Sequence, residues 1–149
     1  MSEDQYRYET AVAKLYQGII KQETELDKLL WDILLTCQGD VFYTSSGLPF
    51  SYSVKRKKNG EYSGELLISR KETSKTLTKS SVFLAFHKVI EAIQICDVNG
   101  KPEMILPEYK GPKAIGQIFG ISYIYSIFWK FGLIRVPAKS TKGKAEKVK

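Results

Sequence analysis

Apolar residues recur with helical spacing along the N-terminal part of the chain. Val12, Leu15, Ile19, Leu26, Leu29 and Ile33 form a stripe that Tyr8, Tyr16, Ile20, Leu30 and Leu34 widen. Continued over about eight turns, this 3.6-residue period predicts one long N-terminal amphipathic helix. Ser2 with Gln5 makes a capping box, Glu3 and Asp4 suit the positive end of a helix, and Gly39 offers a stop. Gly18 is a weak point in this pattern, costing about 1 kcal/mol relative to Ala. The stripe is close to a heptad, a spacing that also suits a coiled-coil dimer. Gly18 and Gln22 spoil a clean seam, and the helix is expected to pack across the chain's own sheet.

The period then changes to two. Leu48, Phe50, Tyr52 and Val54 alternate with Pro49, Ser51, Ser53 and Lys55, the signature of a strand with one buried face. A short strand at Val41–Thr44 precedes it across the turn Ser45-Ser46-Gly47. Asn59-Gly60 signals a hairpin whose return strand runs from Tyr62 to Ser69, with Leu66 and Ile68 inward. Residues 70–81 read as a polar loop. Through Thr78 as N-cap it enters a helix with Val82, Ala85, Phe86, Val89 and Ile93 on one face. A second Asn-Gly, at Asn99-Gly100, predicts a small hairpin between Ile95–Val98 and Met104–Leu106, confined to an edge by Pro102. Gly111-Pro112 opens a C-terminal helical pair, Ile115–Phe119 and Ser122–Phe131, joined at Gly120 and stopped at Gly132. Leu133–Val136 reads as a last strand.

The expected fold class is therefore α+β: a long N-terminal helix, a small antiparallel sheet with basic hairpins, and a C-terminal helical pair. One domain is expected over residues 1–136, followed by a disordered basic tail at 137–149. A chain of 149 residues that is 43% hydrophobic and 12% aromatic has the size of one ordinary domain and is too apolar to be disordered. Cys37 and Cys96 have no CxxC spacing, which excludes a disulfide scaffold, and a lone His87 leaves no metal set, so no cofactor is expected. The polar, acidic start carries no signal-peptide or lipidation pattern, and a cytoplasmic protein with reduced cysteines is expected. The uncharged run from Ala114 to Trp129 is too short and too punctuated by Gly and Ser for a membrane span.

Charge changes the picture more. The chain holds 23 basic and 16 acidic residues, a net of +7. Residues 1–35 carry a net −3, residues 36–135 a net +6 and residues 136–149 a net +4. A basic body of this kind attracts polyanions through fields that salt weakens. Two segments concentrate the cations. One is the hairpin tip Lys55-Arg56-Lys57-Lys58. The other is the stretch Arg70 to Ser81, with Arg70, Lys71, Lys75 and Lys79 against Glu72, interleaved with Ser and Thr hydroxyls. Phosphates are expected on Lys55, Arg56, Lys57, Lys58, Arg70, Lys71, Lys75, Thr78, Lys79 and Ser80, the last three at a helix N-terminus. The plainer account is a solvated connection whose hydroxyls only cap the helix. The segment from Pro112 to Phe131 has the glycine spacing of a helix-turn-helix. Its second helix is too apolar to read base edges, so core or a partner surface is expected there. Phe50 and Tyr52 share the face of Leu48 and Val54 and read as core, not as a base-stacking platform. His87 has no suitably spaced Ser, Cys or Asp, and no nucleotide-loop or nucleophile-elbow motif occurs, so no enzyme is expected.

The segments YTSSGLPFSYSV, ELLISRKETSKTLTKSSVFLAF, GPKAIGQIFGISYIYSIF and FGLI, taken as a set, resemble small uncharacterised proteins of bacterial phages and mobile elements. The resemblance covers about residues 42–134. It implies a mobile-element setting, such as a regulator or an anti-defence protein, and carries no chemistry. The functional expectation is a non-catalytic binder of DNA or RNA. The alternative is a protein-binding inhibitor or adaptor that docks on a host nucleic-acid enzyme through its helical surfaces.

Overall fold

A computed structural model describes residues 2–137. The chain is α+β, with helices packed on a small antiparallel sheet. Two helices lead, α1 (Glu3–Ile20) and α2 (Leu26–Thr36), in place of the single long one the stripe predicts. Ser2 caps α1 by accepting from the Gln5 N–H, as expected. The break comes at Gln22, which adopts φ 56°. The Glu23 N–H donates to the Gly18 carbonyl (2.9 Å) and the Gln22 N–H to the Ile19 carbonyl (3.1 Å). That is a Schellman stop built on a glutamine where glycine is usual. The apolar stripe thus folds back on itself, and α1 packs on α2. Gly18 is the close-approach point and not a weak spot. A Cβ there would stand 2.9 Å from Leu26 Cδ2 and 3.1 Å from Leu29 Cδ1.

The sheet follows in the order β1 (Phe42–Tyr43), β2 (Pro49–Arg56), β3 (Tyr62–Arg70) and β4 (Thr73–Thr78), each antiparallel to the next. The 70–81 segment is thus not a loop. Its first half is β4, joined to β3 by a two-residue turn in which Lys71 takes φ 48°. Helix α3 (Lys79–Ala92) begins directly after it, with Thr78 as N-cap accepting from the Ser81 N–H. The second Asn-Gly turns β5 (Gln94–Val98) into β6 (Lys101–Ile105), with positive φ at both Asn99 and Gly100 as a type I′ hairpin requires.

The C-terminal pair reduces to one helix. Residues 115–119 do not form a helix. A single 3-10 turn (Pro112–Ala114) leads through an irregular stretch to α4 (Ile121–Lys130). Between Gly116 and Gly120 the segment is too short to offset the cost of helix nucleation. Ile115 and Ile118 are nevertheless buried. The last expected strand is only an isolated bridge between Glu108 and Arg135. The tail expected to be disordered lies, from residue 138 on, outside the described residues.

Helix α4 is the centre of the core: Tyr123, Ile124, Tyr125, Ser126, Ile127 and Phe128 are all buried. Tyr123 meets Phe50 edge-on at 5.0 Å between ring centroids, and Phe128 meets Phe86 at 6.2 Å. A helix buried on all sides cannot enter a groove, which removes the helix-turn-helix reading. Phe50, Tyr52 and Val54 of β2, Leu66 and Ile68 of β3 and Leu77 of β4 form the inner face of the sheet. The Tyr52 hydroxyl donates to the Leu34 carbonyl at 2.6 Å and so ties this face to α2. No helix among the described residues is long and apolar enough to cross a membrane.

Candidate functional site

The inner face takes every second residue of β2, β3 and β4, so the others make the outer face. Register places them in three rows. Ser51, Ser69 and Ser74 lie across the strands, then Ser53, Leu67 and Thr76, then Glu65 and Thr78, beside which Lys55 stands at an irregularity in the β2–β3 pairing. None of these side chains is buried. The outer face is therefore a bare surface carrying six hydroxyls, one lysine, one carboxylate and one leucine. Lys55 bridges it, donating to Thr76 Oγ1 (2.9 Å) and standing 3.9 Å from Glu65. The carboxylate is in this way neutralised within the face.

The predicted phosphate contacts do not form one cluster. Strand β3 runs from the β2–β3 turn to the β3–β4 turn, so the two cationic turns stand about 26 Å apart at 3.3 Å per residue. At the first end, Lys57 and Lys58 sit in an exposed turn closed by the Lys57 N–H to Glu61 carbonyl bond (2.7 Å). Arg56 is held there with its guanidinium 4.0 Å over the Tyr62 ring, donating to the Gly60 carbonyl and to the Tyr62 hydroxyl at 2.7 Å each. Lys79 turns away from the outer face, its ammonium 4.6 Å from the Trp31 ring and 5.5 Å from Phe83. Thr78 and Ser81 cap α3 between themselves, so the plainer account of these hydroxyls describes the local geometry. Ser80 lies exposed in the first turn.

At the other end, Lys71 is exposed at the turn and Arg70 donates to the Tyr123 hydroxyl at 3.0 Å. Lys75 lies on the inner side of the edge strand β4, with its ammonium 5.0 Å from the Phe119 ring. Beside it opens a groove of about 460 Å³ lined by Lys75, Lys113, Pro112, Ile118, Ile121 and Ser122, among others. Two lysines and no carboxylate line it. Lys113 and Phe119 are members of this end that sequence reasoning missed. Phe119 belongs to an uncharged run that reads as core, and no pattern in the chain marks that Phe119 and Trp129 are the rings of that run that turn outward.

The leading acidic helices do not neutralise these cations. Among the described residues, Lys55 pairs with Glu65, Lys130 with Asp40 and Arg135 with Glu108, and His87 meets the Asp27 carboxylate. The last corrects the reading of His87 as partnerless: its Nε2 stands 2.7 Å from Asp27 of α2, sixty residues away in sequence. No group of three or more His, Cys, Asp or Glu residues able to hold a metal ion occurs among the described residues. Cys37 is buried and Cys96 half-buried, both free. Burial pushes the Cys37 thiol from its ordinary 9.0 to about 11 and so makes it a poor nucleophile at neutral pH. Comparison of the chain with protein-family models, with curated proteins and with solved structures finds no match.

Proposed function

We propose that the protein is a non-catalytic nucleic-acid binder that lays a phosphate backbone along the outer face of its sheet. The observation that carries this reading is the bare, hydroxyl-lined face with a cationic turn at each end. Lys57 and Lys58 grip phosphates at one end and Lys71 at the other, beyond which the backbone passes over the β4 edge to Lys75 and Lys113 on the inner side. Ser and Thr side chains between them donate to the backbone without reading sequence. Helix α2, which carries Asp27 and Asp32, is tied to the opposite face of the sheet, and this keeps those carboxylates away from the outer face. Lys55 spans the middle; of the ten residues expected from the sequence, Lys55, Lys57, Lys58, Lys71 and Lys75 take part, whereas Arg56, Arg70 and Lys79 are held by Tyr62, Tyr123 and Trp31, and Thr78 and Ser80 sit at the start of α3. A cytoplasmic, mobile-element setting, as a regulator or an anti-defence protein, belongs to the same proposal. The test is fluorescence anisotropy with labelled DNA and RNA oligonucleotides across a salt series. Binding at low salt that weakens steeply as salt rises supports the reading, and absence of binding at low salt overturns it.

A second reading has its own observation. Val41, Tyr43 and Trp129 are exposed around an apolar cleft of about 290 Å³ between β1 and the end of α4. A protein inhibitor or adaptor would use such a patch. Affinity capture after nuclease treatment separates the two, because a protein complex survives the loss of nucleic acid.

A further inference from the structure

Phe119 is the anomaly of the C-terminal segment. Its neighbours Ile118 and Ile121 are buried, yet its own ring is 58% exposed. Gly120, with φ 76°, turns the chain directly after it into α4. A left-handed glycine at that point lets Ile121 enter the core while the preceding side chain stays outside. Leaving a phenyl ring in water forgoes the free energy its burial would release. The Lys75 ammonium stands over one side of the ring, 5.0 Å from its centroid, and the ring's exposure leaves further apolar surface open. The adjoining groove carries Lys75 and Lys113 and no carboxylate. A flat apolar ring beside two cations matches a ligand with a flat apolar face beside an anion.

We propose that Phe119 is a base-stacking station, and that it makes the protein select single-stranded nucleic acid over duplex. This inference rests on the nucleic-acid reading above. An unpaired base lies on the open side of the Phe119 ring, and its phosphate reaches Lys75 and Lys113. In a duplex both faces of each base are covered by its neighbours, so only an unstacked base can offer one. Stacking accepts any base, which agrees with a site whose remaining contacts are to phosphate.

The test measures the affinity of the full chain for a short oligothymidylate and for a duplex of equal length at one low salt concentration. The variants are Phe119→Ala and Phe119→Trp. The expected result is tighter binding of the single strand. Phe119→Ala then weakens single-strand binding by at least about fivefold while duplex affinity and salt slope stay as they were. Phe119→Trp retains the preference, and its added fluorescence is quenched by the oligothymidylate and not by the duplex. Equal affinity for the two forms, tighter duplex binding, or a single-strand preference that survives Phe119→Ala overturns the station and leaves the nucleic-acid reading in place. Absence of binding to either form overturns both.

Discussion

Two helices in this protein end on the same backbone motif with different residues at its critical point. At the end of α4, Gly132 takes φ 75°, its N–H donates to the Trp129 carbonyl, and the Leu133 N–H reaches the Phe128 carbonyl, both at 3.0 Å. At the end of α1, Gln22 occupies the equivalent place at φ 56°. Left-handed backbone costs a residue with a Cβ more than it costs glycine. Gln22→Gly is therefore expected to raise stability by about 0.5–1 kcal/mol, read as a higher urea midpoint at unchanged m. Gly120 cannot be varied so freely. A Cβ there would fall inside the Leu77 side chain as well as hold an unfavourable φ. Gly120→Ala should lower stability by about 2–4 kcal/mol, measured by the same titration. Buried ionisable groups set the alkaline limit. Burial raises the Tyr8 hydroxyl from 10.0 to about 12 and Cys37 from 9.0 to about 11, and it also raises Tyr16, Tyr52, Tyr109 and Tyr125. These groups stay protonated in the folded chain after the unfolded chain has begun to lose its protons. Their contribution is full below pH 9 and is lost as pH rises through the folded values, so urea midpoints should be flat from pH 7 to 9 and fall between pH 9 and 12.

At the scale of elements, the same hydrophobic spacing that predicts one long helix describes two packed ones, because a stripe survives a fold-back. What divides them is a stop with no glycine signal, and the physical mark of the crossing is Gly18. Gly18→Ala tests this. Helix propensity alone would stabilise α1 by about 1 kcal/mol. Contact with the Leu26 and Leu29 side chains should reverse the sign and lower the melting temperature. A rise in melting temperature would show that the helices do not pack as described. Strand β2 is legible in the chain because its inner residues alternate with polar ones, and its partner β3 because the Asn-Gly turn leads into the inward Leu66 and Ile68. β4 is hidden because its inner positions are Thr73, Lys75 and Leu77, of which only the last is apolar. An edge strand needs one buried anchor, and the β3–β4 turn uses Lys-Glu where Asn-Gly would have announced a hairpin. Residues 115–119 err the other way: apolar spacing suited to a helix is used by an irregular segment that buries Ile115 and Ile118 between two glycines.

For the whole molecule, the proposed track predicts two independent grips. Lys57→Glu with Lys58→Glu alters one end, and Lys71→Glu with Lys113→Glu the other. Each pair should weaken binding and lower the slope of log affinity against log salt by about two, and the effects should add because the ends are about 26 Å apart. Anisotropy across a salt series measures both, and loss confined to one end would rule out a backbone lying along the sheet. Eight of the ten predicted contacts were chosen by charge and two, Thr78 and Ser80, as hydroxyls at a helix N-terminus, and both signals are legible without a fold. Their grouping was not: alternation along β2 turns Lys55 outward, Arg56 closes on Tyr62, Lys79 lies over Trp31, and Lys75 leans toward Phe119. The chain by itself determined the α+β class, the acidic front and basic body, the caps at Ser2 and Thr78 and the Asn-Gly hairpins, since each follows from residues near one another in sequence. Only the tertiary structure decided that the leading stripe folds into two helices, that the polar segment is an edge strand, that the cations divide between two ends and that Phe119 faces water. Those outcomes depend on contacts between residues far apart along the chain, and no local pattern encodes which side of a strand or turn its neighbours will cover.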